Sequence, residues 1–314
     1  LKNLYNNEFR KLKKEFEINS LVTLNDKVSD VDFALSTNNK YSLENNLTIC
    51  ENGISIDNKG TGTQCMLKIK SSINKQSENI DVILIEEPEN HLSDINMKKM
   101  LQDIMMANQK QMFITTHNSM ICSRLNLKKI IALNENKITT TEFNSINDET
   151  AKFFIKCPSN SILNFILSNK VILVEGAAEY ILLEKLYELQ TSNNPNEDNV
   201  NIISVNGLSF ERYLDVAQEL NIKVAVITDN DRDYETNVIR KYSKYMDKKN
   251  INVFSDDDNE RYTFEVCLFK DNQDYIDNHD ITSVSDKVNF MLNNKSESAY
   301  RILNALERES NDFI

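Results

Sequence analysis

The sequence has no tryptophan, only three prolines and five glycines, and five cysteines (Cys50, Cys65, Cys122, Cys157 and Cys267) that form no CxxC pair. So few turn-forming residues exclude a collagen-like or low-complexity chain. Scattered cysteines, odd in number, exclude a disulfide framework and a clustered zinc site, and a reducing, cytoplasmic setting is expected. No apolar run is long enough for a membrane span, and no signal peptide is evident, so no membrane partner is expected. Positive charge is also short: 36 Lys and Arg stand against 48 Asp and Glu, a net charge of −12. That balance excludes a protein that coats nucleic acid through bulk electrostatics and restricts any such contact to local sites. What is present is a chain of 314 residues, 40% hydrophobic, long enough for two or three cores of ordinary size.

The patterning predicts an α/β chain. Residues 1–19, LKNLYNNEFRKLKKEFEIN, read as the tail of a charged helix, which suggests a fragment of a longer protein. Short alternating stretches in 20–57 (LVTLND, VDFALS, LTICENGISID), broken by Asn, Gly and Asp, predict a small antiparallel sheet. DVILIEEPE, QMFITTH and KKIIALNEN carry short apolar runs that suit buried strands, with helical stretches from 64 and over 95–108. A second α/β unit opens at residue 170 with VILVEG and continues through NIISVNG (201–207) and VAVITDND (224–231), while TSNNPNEDN (191–199) is a loop.

In ILIEEPENHLS the adjacent acids Glu86 and Glu87 follow a buried strand, where charge calls for a cation or ligand. Nucleotide hydrolysis needs one carboxylate near Mg²⁺ and another to orient the attacking water, and Glu86 and Glu87 suit those roles. His117 ends the next strand, where an imidazole can sense a γ-phosphate, and KGTGTQ (59–64) is a Gly-containing turn whose N–H groups and following helix could receive a phosphate. In that order the features resemble the C-terminal lobe of ABC-type ATPases of the SMC and Rad50 kind. The resemblance makes TGTQ the signature loop, with Thr61, Gly62 and Gln64, LIEEP the Walker B strand, ENHLS the D-loop and His117 the switch histidine. None of the glycines is followed by lysine, so GxxxxGK[ST] is absent from the chain. Either the P-loop lies upstream of Leu1, which the headless helix at the start of the sequence favours, or the ATPase half has lost activity.

In VILVEGAAEYILLEKL (171–186), Glu175 ends an apolar strand and Glu179 follows in the first turn of a helix. TDND places Asp229 and Asp231 two residues apart, which in an extended chain puts both on one side and Asn230 on the other. Together these carboxylates can converge at the C-terminal edge of a parallel sheet, and such a cluster calls for hard cations, Mg²⁺, Mn²⁺ or Ca²⁺.

A Glu-Gly at one strand end and a DxD at a later one resemble the Toprim domain of topoisomerases, primases and certain nucleases. An ABC-type lobe followed directly by Toprim resembles the OLD family of ATP-dependent nucleases, among them the nuclease subunit of the Gabija antiphage system. The resemblance implies residues 1–168 as a partial ABC-type ATPase domain and 169–314 as a Toprim domain with a parallel central sheet. It implies Glu265, in RYTFEVCLF, as a further metal ligand and Lys295, in NKSES, as the catalytic lysine. The expected metal set is then Glu175, Glu179, Asp229, Asp231 and Glu265, holding two Mg²⁺ or Mn²⁺ ions, with Glu175, Asp229 and Lys295 catalytic. The implied function is a metal-dependent DNA endonuclease regulated by the ATPase module, in antiphage defence, with ATP and Mg²⁺ bound by the complete protein. The implied partners are DNA, further copies of the chain through the ATPase domain, and a helicase-like protein. Two alternatives remain open on the residues: a Toprim topoisomerase or primase, for which the eleven tyrosines offer no evident nucleophile, and a non-catalytic DNA-sensing scaffold.

Overall fold

The computed structural model describes residues 11–26, 32–35, 47–74, 81–106, 111–125, 127–134, 137–142, 146–157, 161–207, 209–279, 281–282, 284–309 and 313. Residues 1–10 of the expected charged helix lie outside these; residues 11–25 are helical. Two compact units are formed, Leu1–His117 and Asn118–Ile314.

In the first unit, β1 (Asp32–Leu35), β2 (Leu47–Glu51) and β3 (Ile54–Ser55) form the antiparallel sheet expected from the sequence. Asn52 and Gly53 close the β2–β3 hairpin with φ of 53° and 75°, the left-handed pair that a two-residue turn requires. LVTLND departs from expectation and is helical over Val22–Asn25. β4 (Val82–Glu86) and β5 (Gln111–Thr115) pair in parallel, and helix Asp94–Met106 between them buries Met97, Met100, Leu101 and Ile104, the stripe that a 3.6-residue period gives. β4 was expected to be buried on both faces, yet Ile83 and Ile85 point inward while Leu84 is 77% exposed. A continuous apolar run leaves open whether a second layer covers the strand, and among the described residues β4 has only β5 as a neighbour.

In the second unit, β6 (Ile131–Asn134) pairs antiparallel with β7 (Lys137–Glu142) and leaves Ile131 and Leu133 exposed, so KKIIALNEN is a hairpin strand rather than the buried strand expected. The main sheet has the order β11-β10-β8-β9, from β8 (Lys170–Val174), β9 (Val200–Ser204), β10 (Lys223–Ile227) and β11 (Ile251–Phe254), every pair parallel. From β8 the chain steps to one side for β9 and to the other for β10, so the strand order reverses between β8 and β10, where open α/β sheets bind ligands.

The motif-based boundary at 168/169 does not coincide with the packing boundary. Helices Asp148–Lys156 and Ser161–Leu167 send Phe154 and Phe165 edge-on against Tyr213 of helix Phe210–Leu220, with centroids 5.1 and 5.2 Å apart, inside the core that holds Val171 and Val224. A second cluster joins helix Ala177–Thr191 to helix Lys295–Arg308, where Ala178 and Leu182 meet the stripe Ala299, Ile302, Ala305 and Leu306. That docking fixes the place where the second helix begins.

Candidate functional site

The β8–β10 register pairs Leu173 with Val226, so the chain emerges from both strands side by side. Glu175 and Thr228 stand just beyond, and Thr228 Oγ1 donates to Glu175 Oε1 at 2.7 Å while the Asp229 N–H donates to the same oxygen at 3.2 Å. Two donors hold this carboxylate at the switch point.

Glu179, 5% exposed, accepts from the Gly176 N–H at 3.1 Å, a helix-capping contact at the start of Ala177–Thr191. Burial, with Glu265 and Glu175 close by, raises its carboxyl above the ordinary range against its own backbone N–H and Lys295. Asp229 accepts from the Phe264 N–H at 2.8 Å, so its carboxylate occupies the N-terminus of helix Phe264–Asp271. Burial first and Glu175 second push Asp229 up to about 7, although the Phe264 N–H and Lys295 act the other way. Glu265, in the first turn of that helix, is 2% exposed, and both of its carboxylate oxygens are buried without a hydrogen-bond partner.

Lys295, the first residue of helix Lys295–Arg308, brings Nζ to 2.9 Å from Glu265 Oε2 and 3.9 Å from Asp229 Oδ2. The shorter contact pairs the ammonium with the buried carboxylate. Burial works against the ammonium, yet Glu265, Asp229 and Glu179 outweigh it and raise its pKa. Its side chain remains 45% exposed, open to an anion from solvent.

The structure thus brings together Glu175, Glu179, Asp229, Glu265 and Lys295. Asp231 stands apart. β10 ends at Ile227, so the two-residue period no longer holds through TDND, and Asp231 adopts φ 49° with an exposed side chain for which no contact to the other acids is seen among the described residues. Asn230 points away from the acids, as expected, and is buried at 1%. Thr228 and Asn230 are the residues that sequence reasoning passed over; both flank Asp229, and their polarity at the end of an apolar strand was the available signal.

Hard oxygen donors on Glu175, Glu179, Asp229 and Glu265 fit a divalent cation, and buried Glu265 Oε1 has no hydrogen-bond donor among the described residues. Among the described residues no three acidic, histidine or cysteine side chains are already gathered as a metal cage.

In the first unit, Glu87 and His117 do meet. His117 Nδ1 lies 3.6 Å from Glu87 Oε1 and 3.5 Å from Glu89 Oε1. Glu89, not singled out from sequence, is 9% exposed and accepts from Thr116 Oγ1 at 2.6 Å and the His117 N–H at 3.1 Å. Glu86 ends β4 exposed, outside this group. Thr61 opens helix Thr61–Asn74, and Gln64 Nε2 closes its own turn on the Lys59 carbonyl at 2.9 Å. Gly62 has a packing reason beside any ligand: a Cβ there would stand 2.3 Å from the His91 carbonyl oxygen.

A parallel sheet of this order with acids at its switch point is an open α/β domain with a candidate ligand site. Residues 166–231 match the family model "Overcoming lysogenization defect protein-like, TOPRIM domain", so the chain carries the TOPRIM domain of OLD-like proteins, as the sequence resemblance implied. The match spans Glu175, Glu179, Asp229 and Asp231; Glu265 and Lys295 lie beyond it. TOPRIM domains generally bind divalent metal ions such as Mg²⁺. Among solved structures, the platinum-phased C-terminal region of the Xanthomonas campestris pv. campestris OLD protein aligns at 19% identity, over 46% of this chain and 86% of that one, with a TM-score of 0.30. The mercury-phased structure of that region aligns at 22% identity, over 45% and 79%, with a TM-score of 0.26. No curated protein matches the chain. The described helices include none long and apolar enough to cross a membrane.

Proposed function

We propose that the chain is a metal-dependent DNA endonuclease of the OLD kind, regulated by an ABC-type ATPase module and acting in antiphage defence. The TOPRIM domain supports a nuclease-type, metal-dependent enzyme, and the observation that carries the reading further is Lys295 beside the buried acids Asp229 and Glu265. Hydrolysis adds water to phosphorus and breaks one P–O ester bond, leaving a phosphate monoester and a hydroxyl. Divalent ions at Glu175, Glu179, Asp229 and Glu265, with Asp231 swung in, would lower the pKa of the water and screen the phosphate.

The chain's own groups do the rest. Thr228 and the Asp229 N–H orient Glu175 by both donating to one of its oxygens. The first turn of helix Phe264–Asp271 holds Asp229 in place through the Phe264 N–H. Lys295, half exposed, offers a fixed positive charge to the scissile phosphate as negative charge builds on it. In the first unit, the Glu87–His117 contact supports a nucleotide-hydrolysing role for that pair, on a nucleotide supplied with its own P-loop. Assembly through the ATPase module and a helicase-like partner belong to the same reading.

Glu175→Ala and Asp229→Ala, each folded by circular dichroism, are expected to lose nicking of supercoiled plasmid in Mn²⁺, while the parent chain nicks and stops in chelator. Retained nicking with unchanged metal dependence in both variants would overturn the assignment.

A further inference from the structure

Asn230 sits between two of the proposed metal-site residues in sequence, yet its side chain turns away from them into the protein. Nδ2 lies 2.8 Å from the Asp256 carbonyl, 3.0 Å from that of Asp258 and 3.4 Å from that of Arg261. Oδ1 accepts from the Arg232 N–H at 2.8 Å, and the Asn230 carbonyl accepts from Asp233 N at 2.9 Å and Asn237 Nδ2 at 3.0 Å. Each polar atom of the side chain is thereby used, at 1% exposure.

The carbonyls it gathers belong to the 255–262 loop, which runs from β11 to the helix that carries Glu265. Two further ties join the same segments. Asp231 N donates to the Tyr262 carbonyl at 3.1 Å, and the Arg232 guanidinium stacks over the Tyr262 ring at 4.1 Å. The loop's end is then pinned to Asp229 itself by the Phe264 N–H. The loop carries Asp256, Asp257, Asp258, Glu260 and Arg261, and Asn230 reaches it through backbone carbonyls.

We propose that Asn230 is a positioning residue for the metal centre: by clamping the 255–262 loop to the end of β10, it sets the separation of Asp229 and Glu265. This rests on the metal-dependent reading above. An amide is required because the acceptors are all carbonyl oxygens, and an aspartate of the same shape would face them with no donor.

The test uses Mn²⁺ affinity by calorimetry beside plasmid nicking, on Asn230→Asp and on Asn230→Ser, which keeps one donor in a smaller side chain. Asn230→Asp is expected to weaken Mn²⁺ binding by ~10- to 100-fold, as loss of a group that orients a ligand does. Asn230→Ser should fall between it and the parent, and excess Mn²⁺ should restore much of kcat in both. Should Asn230→Asp fail to fold, Asn230→Ser alone decides the matter. Parental Mn²⁺ affinity in a folded variant, or a loss of kcat that excess Mn²⁺ leaves untouched, overturns the role. A parent chain that neither binds Mn²⁺ nor nicks would instead overturn the metal-dependent reading itself.

Discussion

Lys295 and Glu265, each in the first turn of a different helix, meet at 2.9 Å, and the carboxylate is buried. Among the described residues the ammonium is the counter-charge seen for Glu265, and its side chain is 45% exposed, where a phosphate can reach it.

Two losses are therefore expected in Lys295→Ala. In chelator the variant should be destabilised by about 1–3 kcal/mol, the cost of leaving a buried polar group unmatched, and Glu265→Gln in the same chain should recover part of it. Denaturant unfolding measures both. In saturating Mn²⁺ the nicking rate should fall by ~10² or more, the usual cost of one lost electrostatic stabiliser. Parental stability together with parental nicking would return Lys295 to the ordinary surface.

Proton and metal compete at Asp229. Burial, then Glu175, pushes its carboxyl up to about 7 in the metal-free protein. A carboxyl with a raised pKa binds more protons folded than unfolded. Its stabilising share is full below the unfolded value of about 4 and is lost as pH rises through about 7. Glu179 shifts in the same direction, with burial as the main cause. Metal-free protein should thus lose stability from these groups as pH rises across that window, while Mn²⁺, which needs the ionised form, binds more tightly. The gap in Tm between Mn²⁺ and chelator should widen from about pH 5 to about pH 7.5. A constant gap would remove Asp229 from the ligand set.

Gly62→Ala is expected to destabilise the first unit by about 1–3 kcal/mol, because the added methyl meets a backbone carbonyl that no rotamer change can move aside. Thermal unfolding without any nucleotide reads this directly. An unchanged Tm would leave ligand contact as the glycine's remaining purpose.

Much of the second unit was legible from residue order. VILVEG, NIISVNG and VAVITDND became β8, β9 and β10, and the acids after β8 and β10 emerged side by side because parallel strands in register end together. Legibility was poorer in the first unit, where apolar runs in β4 and β6 named strands without saying what covers them. Asp231 shows the same limit at a finer scale: alternation forecasts direction only as far as the strand runs, and the strand stops at Ile227.

The sequence by itself determined which carboxylates stand at strand ends and where the helices after them begin, because those follow from local period and short-range sterics. Tertiary structure alone decided that Lys295 reaches Glu265, since the stripe Ala299, Ile302, Ala305 and Leu306 docks on Ala178 and Leu182 and carries the helix start over the acids. It alone decided that Asn230 turns inward to the 255–262 loop. Both are contacts between segments distant in the chain, fixed by burial of apolar area and by the demand that buried carbonyls find donors, and no local spacing encodes either.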